Sequence, residues 1–515
     1  MSNTAPVGLG LTRIALAAVL AVSTAVALPG SVKAHRERPT EVPSGAGSVP
    51  VYREGGPTLV VCKPDSARRL QPLPDGLREA NGRLLGRCRF RHIQAAVDAV
   101  TEPGTRILVL PGVYREEPSL EPPAPACAAL AGQQLLGYED HRRCPNLQNL
   151  IAVLGDGPDA DRACDGRLCA LQIEGTGAGP EDVVVDGEFA KQHVMRADRA
   201  DGIYLRNFTV QRAGFTGVYV IETDGFAIDR LLGRWTDEYG FLTFSSDHGL
   251  YTGCEAYGNG DAGIYPGSAA DVGGDRWAIE VRHCRSHHNT LGYSGTAGNS
   301  VWVHDNEFFE NATGMATDSL FPNHPGLPQN SARFERNRVW SNNADYFRYR
   351  RDGTCKRPSA ERGYERGVVC PLVAAPVGTG ILIAGGNGNV VTDNWIWDNW
   401  RAGTMLLWAP APARGELDPS KLFDTSHGNR FVANRMGLAP DGGLAVNGVD
   451  FWWDEEGSAN CWSANVSGAA SPSSDPAALP SCDEPAAAFS PGNPLNLDPP
   501  IDLSGHGRPS AESAS

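Results

Sequence analysis

Lysine is nearly absent from this chain. Of its 45 basic side chains only five are lysines (Lys33, Lys63, Lys191, Lys356 and Lys421), and 60 acidic residues leave a net charge of −15. An acidic chain with no basic stripe excludes nucleic acid as the main partner. Long apolar runs are missing after the first 30 or so residues, and mean hydropathy is −0.29, which excludes a bundle of membrane-spanning helices. The 12 cysteines contain no C-x-x-C spacing, so paired zinc ligands are excluded. They fall instead into local pairs: Cys62 with Cys88, Cys127 with Cys144, Cys164 with Cys169, Cys254 with Cys284, Cys355 with Cys370, and Cys461 with Cys482. Six pairs by proximity read as disulfides and as an oxidising compartment.

What is abundant is glycine, 60 in 515 residues, beside 38 prolines. Together they stay below the roughly 25–30% of low-complexity chains, so the excess belongs to regular turns. At the amino terminus Arg13 precedes an apolar stretch from Ile14 to Leu28, and Val32-Lys33-Ala34 fits a cleavage site. Residues 1–34 are therefore expected to be a secretory signal, leaving a soluble, exported, monomeric protein with no membrane association. Residues 35–57 read as a linker and 466–515 as a Pro/Ala/Ser-rich tail, which leaves 58–465 as the body.

The body opens with Ile93, Ala96, Val97 and Val100 on one helical stripe, followed by a buried run Ile107-Leu-Val-Leu110 and a Pro111-Gly turn. This stretch resembles the amino-terminal cap and first coil of right-handed parallel β-helix proteins, the pectin-lyase-like superfamily. The resemblance implies an all-β solenoid with a capping helix and disulfide-stapled loops. An internal repeat supports it independently. Gly217, Gly240 and Gly263 keep a 23-residue step, as do Asp201, Asp224 and Asp247, and Gly292 and Gly314 continue the series. Asn259, Asn289, Asn311 and Asn399 recur three or four residues before a glycine, so the expectation is corner glycines and stacked asparagines, with coils clearest over 182–440.

Stacked carboxylates on adjacent coils raise one another's pKa unless a cation or donor intervenes. The Asp201, Asp224, Asp247 column is thus a candidate for acid–base chemistry or for Ca²⁺; no other cofactor is expected. A second acidic stretch, Asp156, Asp159, Asp161 and Asp165, only loosely matches a calcium loop. Glu222-Thr-Asp224-Gly225 with Asp247-His248-Gly249 resembles the Asn-Thr-Asp and His-Gly motifs of polygalacturonase-type hydrolases, with Glu222 in place of Asn. Tyr239-Gly-Phe241 with Asp247-His248 resembles the Tyr-Gly-Phe-Asp-Pro-His motif of mannuronan C5-epimerases and alginate lyases. Tyr239-Gly-Phe, Asp261-Ala-Gly-Ile-Tyr265 and Leu291-Gly-Tyr-Ser-Gly295 are also similar to secreted bacterial β-helix repeat proteins.

These resemblances imply a secreted protein acting on an acidic, uronate-containing polysaccharide as lyase, epimerase or hydrolase. Asp247 or His248 would take a proton from C5, with Asp224 beside them, and Tyr239 would return or donate one. An insertion at 345–378 carries seven basic against four acidic residues, and its Arg348, Arg350 and Arg351 would pair with uronate carboxylates. Trp395 and Trp397 lie two apart on one strand face, either as core or as a sugar-stacking platform. His283, His287, His288 and His304 read as surface or hydrogen-bonded histidines. The alternative is a non-catalytic β-helix that binds polysaccharide or cell envelope.

Overall fold

The computed structural model describes residues 43, 47–133, 136–155, 164–273, 276–321, 324–409, 426–468 and 479–483. The proposed signal peptide, Asp156, Asp159, Asp161 and most of the proposed tail lie outside them.

Among the described residues the chain winds three parallel sheets of 12, 10 and 11 strands, and from residue 149 on each coil contributes one strand to each sheet. The coil beginning at Thr216 shows the plan: Thr216–Ile221 joins the ten-stranded sheet, Asp224–Asp229 the twelve-stranded and Leu232–Arg234 the eleven-stranded. Register then advances by the period of the sequence, with Thr216 beside Tyr239, Asp224 beside Asp247 and Leu232 beside Glu255. This is the right-handed parallel β-helix expected from the repeat. Alternate residues point inward, and Val218, Val220, Phe226, Ile228 and Phe241 are fully buried in one continuous interior. The helix Ile93–Asp98 adds Ile93, Ala96 and Val97 to that interior, and the buried Glu116 carboxylate accepts the main-chain N–H groups of Ile93 and Gln94 at its start. All six proximity pairs of cysteines are joined.

Most strands of the central coils are followed by a left-handed residue. In one coil these are Glu222, Arg230 and Trp235 (φ 48°, 52° and 58°), and in the next Ser245, Gly253 and Gly258 (φ 48°, 59° and 72°). A side chain in that conformation costs roughly 1–2 kcal/mol, and it recurs here because the bend turns the chain into its next sheet.

The periodic glycines serve a different purpose from the one expected. Gly217, Gly240, Gly263, Gly292 and Gly314 are second residues of strands in the ten-stranded sheet, without a left-handed φ. A Cβ on Gly240 would stand 2.7 Å from the Gly263 carbonyl oxygen, and one on Gly314 would stand 2.6 Å from that of Gly380. These positions need glycine because the next coil's backbone approaches too closely for a side chain, not because the chain turns there.

The asparagines stack as expected. Buried Asn259, Asn289, Asn311, Asn342, Asn399 and Asn447 form a ladder in which each Nδ2 donates to the next Oδ1 at 2.8–3.1 Å. Each accepting oxygen also takes the main-chain N–H of the preceding asparagine, as Asn311 does from Asn289 at 3.0 Å. A second ladder runs from Asn306 through Asn337, Asn394 and Asn434 to Asn465. The ladders satisfy the corner backbone groups that strand pairing leaves over.

The stretch read as a linker lies, from residue 47 on, against the outer face of the twelve-stranded sheet. Tyr52 packs on Tyr204 with its ring centroid 5.9 Å away, carries the Arg206 guanidinium over its ring and donates to Glu174 at 3.0 Å.

Removing Asn311 takes the Oδ1 acceptor from two N–H donors of Asn289 and the Nδ2 donor from the Ser286 carbonyl oxygen. Asn311→Ala is expected to lower unfolding stability by about 3 kcal/mol, and Asn465→Ala, at the half-buried end, by less than half of that. Denaturant midpoints of the two variants check the ranking.

Candidate functional site

The predicted aspartates do form a column. Asp201, Asp224 and Asp247 stand at the corner where the chain passes from the ten- to the twelve-stranded sheet, and the following residues Gly202, Gly225 and His248 are all left-handed (φ 75°, 91° and 47°). The Asp201 carboxyl accepts the N–H of Asp224 at 2.8 Å, and burial, with the Asp224 charge adding, raises its pKa to about 6. Asp224 accepts the Gly47 N–H at 2.6 Å on one oxygen and lies 2.6 Å from His248 Nδ1 on the other. Both oxygens of Asp247 receive the Arg276 guanidinium, at 2.7 and 2.5 Å. Arg276 had no periodic signal, because it sits in the lengthened connection before Ile279 that breaks the 23-residue step.

Asp224, Asp247 and His248 bring three ligand atoms within 4.8 Å of one another. They do not fit calcium. That ion takes six to eight oxygen ligands, whereas one donor here is an imidazole nitrogen and Asp247 already spends both oxygens on a guanidinium that supplies the positive charge. The corner is also overlaid by the amino-terminal segment: the Ser48 carbonyl oxygen stands 2.5 Å from where a Cβ of Gly225 would be.

Tyr239 is not at this corner. It begins the six-residue strand whose far end leads to Asp247, roughly 16 Å away along the strand. Its buried ring packs on Phe215 and Tyr265, and its phenol donates to the Asp261 carboxyl of the next coil. Tyr239 and Asp261 line a pocket on the outer face of the ten-stranded sheet together with Tyr265, Thr296, Asp318 and His324. Asp318 accepts Thr296 Oγ1 at 2.8 Å and the Leu320 N–H at 3.0 Å. Tyr265 Oη lies 3.5 Å from His324 Nε2. Burial raises Asp261 to about 7, with the nearby Asp318 charge adding and the Tyr239 bond opposing; burial raises Asp318 to about 6 against its two hydrogen bonds. Burial, then the Asp261 charge, pushes Tyr239 well above its ordinary value. The sequence pointed to Tyr239 alone here. Asp318 ends the strand Thr313–Asp318, so strand alternation was the signal that placed it on the outer face; His324, in a connection, carried none.

The basic insertion borders this pocket. Buried Tyr346 and Phe347 join the apolar cluster on the outer face of the ten-stranded sheet, and Leu372–Pro376, at the end of the insertion, line the pocket wall. Asp237 anchors it by accepting Arg362 at 2.9 Å and the Tyr364 hydroxyl at 2.7 Å, and Cys355–Cys370 closes it. Arg348, Arg350 and Arg351 occupy a short exposed helix, where Arg351 pairs with Asp345 and Arg348 donates to the Tyr349 hydroxyl at 2.9 Å.

The two tryptophans belong elsewhere, on the eleven-stranded sheet. Tyr257, His287, Phe309, Trp340 and Trp397 form a continuous stack at 4.5–5.1 Å between centroids, and the planes of Trp340 and Trp397 differ by 2°. Trp395 carries the Arg435 guanidinium at 4.9 Å. The Trp397 face is thus covered within an aromatic ladder along the eleven-stranded sheet. His287, as expected, is hydrogen-bonded, to Glu255 at 3.0 Å.

A family model agrees on the fold. Residues 198–411 match the family model described as right handed beta helix region. No curated protein matches the chain. Among solved structures it is similar to a pectate lyase (14% identity, 91% of this chain and 90% of that one, TM-score 0.36). It is also similar to the A-module of a mannuronan C-5 epimerase from Azotobacter vinelandii (12%, 78% and 95%, TM-score 0.42) and to a periplasmic alginate epimerase (12%, 73% and 82%, TM-score 0.36).

Removing Arg276 leaves the buried Asp247 charge without its partner. Arg276→Ala is expected to cost about 2–3 kcal/mol of stability, and the double variant with Asp247→Asn should recover part of it. Thermal unfolding of the two variants checks this.

Proposed function

We propose that this right-handed parallel β-helix is a secreted protein that acts on an acidic, uronate-containing polysaccharide by proton transfer at C5, in the pocket beneath the basic insertion. The observation that carries the reading is the meeting of Tyr239, Asp261, Asp318 and His324 in one pocket bordered by that insertion. Groups with pKa values near the working pH are the ones suited to moving protons, and burial places two carboxyls there. Exposed Arg348 and Arg350, with Lys356, Arg357 and Arg366, give an otherwise acidic protein a local cationic surface that draws a polyanion.

His324 is the candidate to take the proton and Tyr239, kept protonated by burial, the candidate to give one, with Asp261 accepting from the Tyr239 hydroxyl. Loss of the C5 proton followed by departure of the 4-O-linked sugar gives an unsaturated uronate; return of a proton to the opposite face gives the epimer. The corner aspartates take a different role: Asp224 and Asp247 are occupied by the amino-terminal segment, His248 and Arg276, and they hold the coil and the segment together. Six disulfides support an exported protein, and no helix among the described residues is long and apolar enough to cross a membrane.

The test is a panel of polyuronates followed by absorbance near 235 nm, reducing ends and NMR of sugar configuration. Tyr239→Phe is expected to lower turnover by at least about 100-fold, whereas Asp224→Asn retains it. If Tyr239→Phe keeps full activity, the pocket is not where the chemistry happens. If no polymer is altered but several bind, the protein is the non-catalytic binder.

A further inference from the structure

Charge is distributed unevenly along this chain. Residues 58–91, at the amino-terminal end of the solenoid, carry eight basic side chains against three acidic ones, a net +5 within a chain of −15. Five of the eight are paired. Lys63 meets Glu117 at 3.2 Å, Arg68 and Arg69 share Asp65, Arg78 reaches Asp75 and Arg83 reaches Glu79. The other three, Arg87, Arg89 and Arg91, are exposed and have no carboxylate partner among the described residues.

The fold keeps these three side by side. After the helix Asp75–Leu85 the chain returns to the strand Thr58–Val61, where the N–H groups of Arg89 and Phe90 donate to the Val60 carbonyl oxygen at 3.2 and 3.3 Å and the Cys62 N–H donates to that of Phe90 at 3.0 Å. Cys88 is joined to Cys62, and Phe90 packs against the interior. The alternation of an extended chain then sends Arg89 and Arg91 to solvent, with Arg87 in the turn before them. Neighbouring guanidinium groups without counter-charges repel one another, and a bound polyanion relieves that repulsion.

We propose that Arg87, Arg89 and Arg91 form a docking surface for an acidic polysaccharide at the amino-terminal end of the solenoid, separate from the pocket. Planar guanidinium groups pair bidentately with carboxylates, and closure of this end by Cys62–Cys88 suits an oxidising compartment, where such polymers are met. The strand Thr58–Val61 lies five steps along the twelve-stranded sheet from Asp247–Thr252, the strand that follows Tyr239–Phe244, so this surface stands roughly 24 Å from the pocket along the axis. A polymer that spans this separation engages both places, and its second contact is intramolecular. The inference takes from the reading of the pocket only the class of polymer, and the docking surface stands without catalysis.

Calorimetric titration of the full chain with polygalacturonate, at low and high salt, tests this. Arg87→Ser/Arg89→Ser removes two guanidinium groups that have no carboxylate partner, and it is expected to weaken binding about fivefold or more at ~0.05 M salt but less than about twofold at ~0.5 M, where exposed charges are screened. Unchanged affinity at low salt overturns the proposal and leaves these arginines as guards of an exposed sheet edge. A second measurement needs no variant: phenylglyoxal labelling of the unaltered chain, read by mass spectrometry. Polygalacturonate is expected to protect Arg87 and Arg89 and to leave Arg430, exposed in a late coil, open to the reagent. Equal labelling of Arg87 and Arg89 with and without polymer overturns the proposal. So does a DNA duplex that binds as tightly as the polyuronate and is weakened by the same variant. If the polymer protects Arg87 and Arg89 while no polyuronate is chemically altered, the docking surface stands and the catalytic reading of the pocket falls. If polygalacturonate does not bind at all, both fall.

Discussion

Parallel pairing between successive coils sets the position of nearly every side chain discussed. Once Thr216 lies beside Tyr239 and Asp224 beside Asp247, residues one period apart are held at the strand spacing of ~4.8 Å along the solenoid. In several columns like meets like. For apolar residues this is favourable and builds the interior. For amides it gives ladders, since an asparagine both donates and accepts. For carboxylates it is unfavourable, and each such column must be relieved by a donor, a cation or a proton.

The molecule uses all three forms of relief, in different places. At the corner, Asp201 is relieved by the Asp224 N–H, Asp224 by Gly47 and His248, and Asp247 by Arg276. On the outer face of the ten-stranded sheet, Asp261 and Asp318 have hydroxyl and amide donors but no lysine or arginine in the pocket lining among the described residues, and burial raises both above the usual carboxylate range. The first arrangement consumes its charges in holding the structure together. The second leaves acid–base capacity facing a cavity.

Insertions give the solenoid its individuality. The register step from Thr313 to Thr379 spans a connection of more than 30 residues that leaves the stack after Trp340, covers the outer face with Tyr346 and Phe347, and returns through the wall of the pocket. The pairing of Thr313 with Thr379 tolerates this because hydrogen bonds need only the strands, whatever the length of chain between them.

Periodic composition made the solenoid legible from the sequence alone: the 23-residue step of glycine and aspartate and the recurring asparagines correspond to contacts between residues one coil apart, as does the Cys254–Cys284 pair. A column of aspartates was legible for the same reason. Which face each column joins was not, because a strand boundary moves a side chain from interior to surface without changing the period. Tyr239 and Asp247, eight residues apart in the chain, belong to different sheets for that reason, and the glycine column proved to be a place of close backbone approach within strands. Arg276 and His324 come from connections that carry no period, and only the winding of the chain brings His324 into the pocket that Tyr239 and Asp318 also line and Arg276 to Asp247. Local and periodic constraints were written in the sequence; the meeting of non-periodic groups depended on tertiary structure, since their separation in space is set by the coils between them.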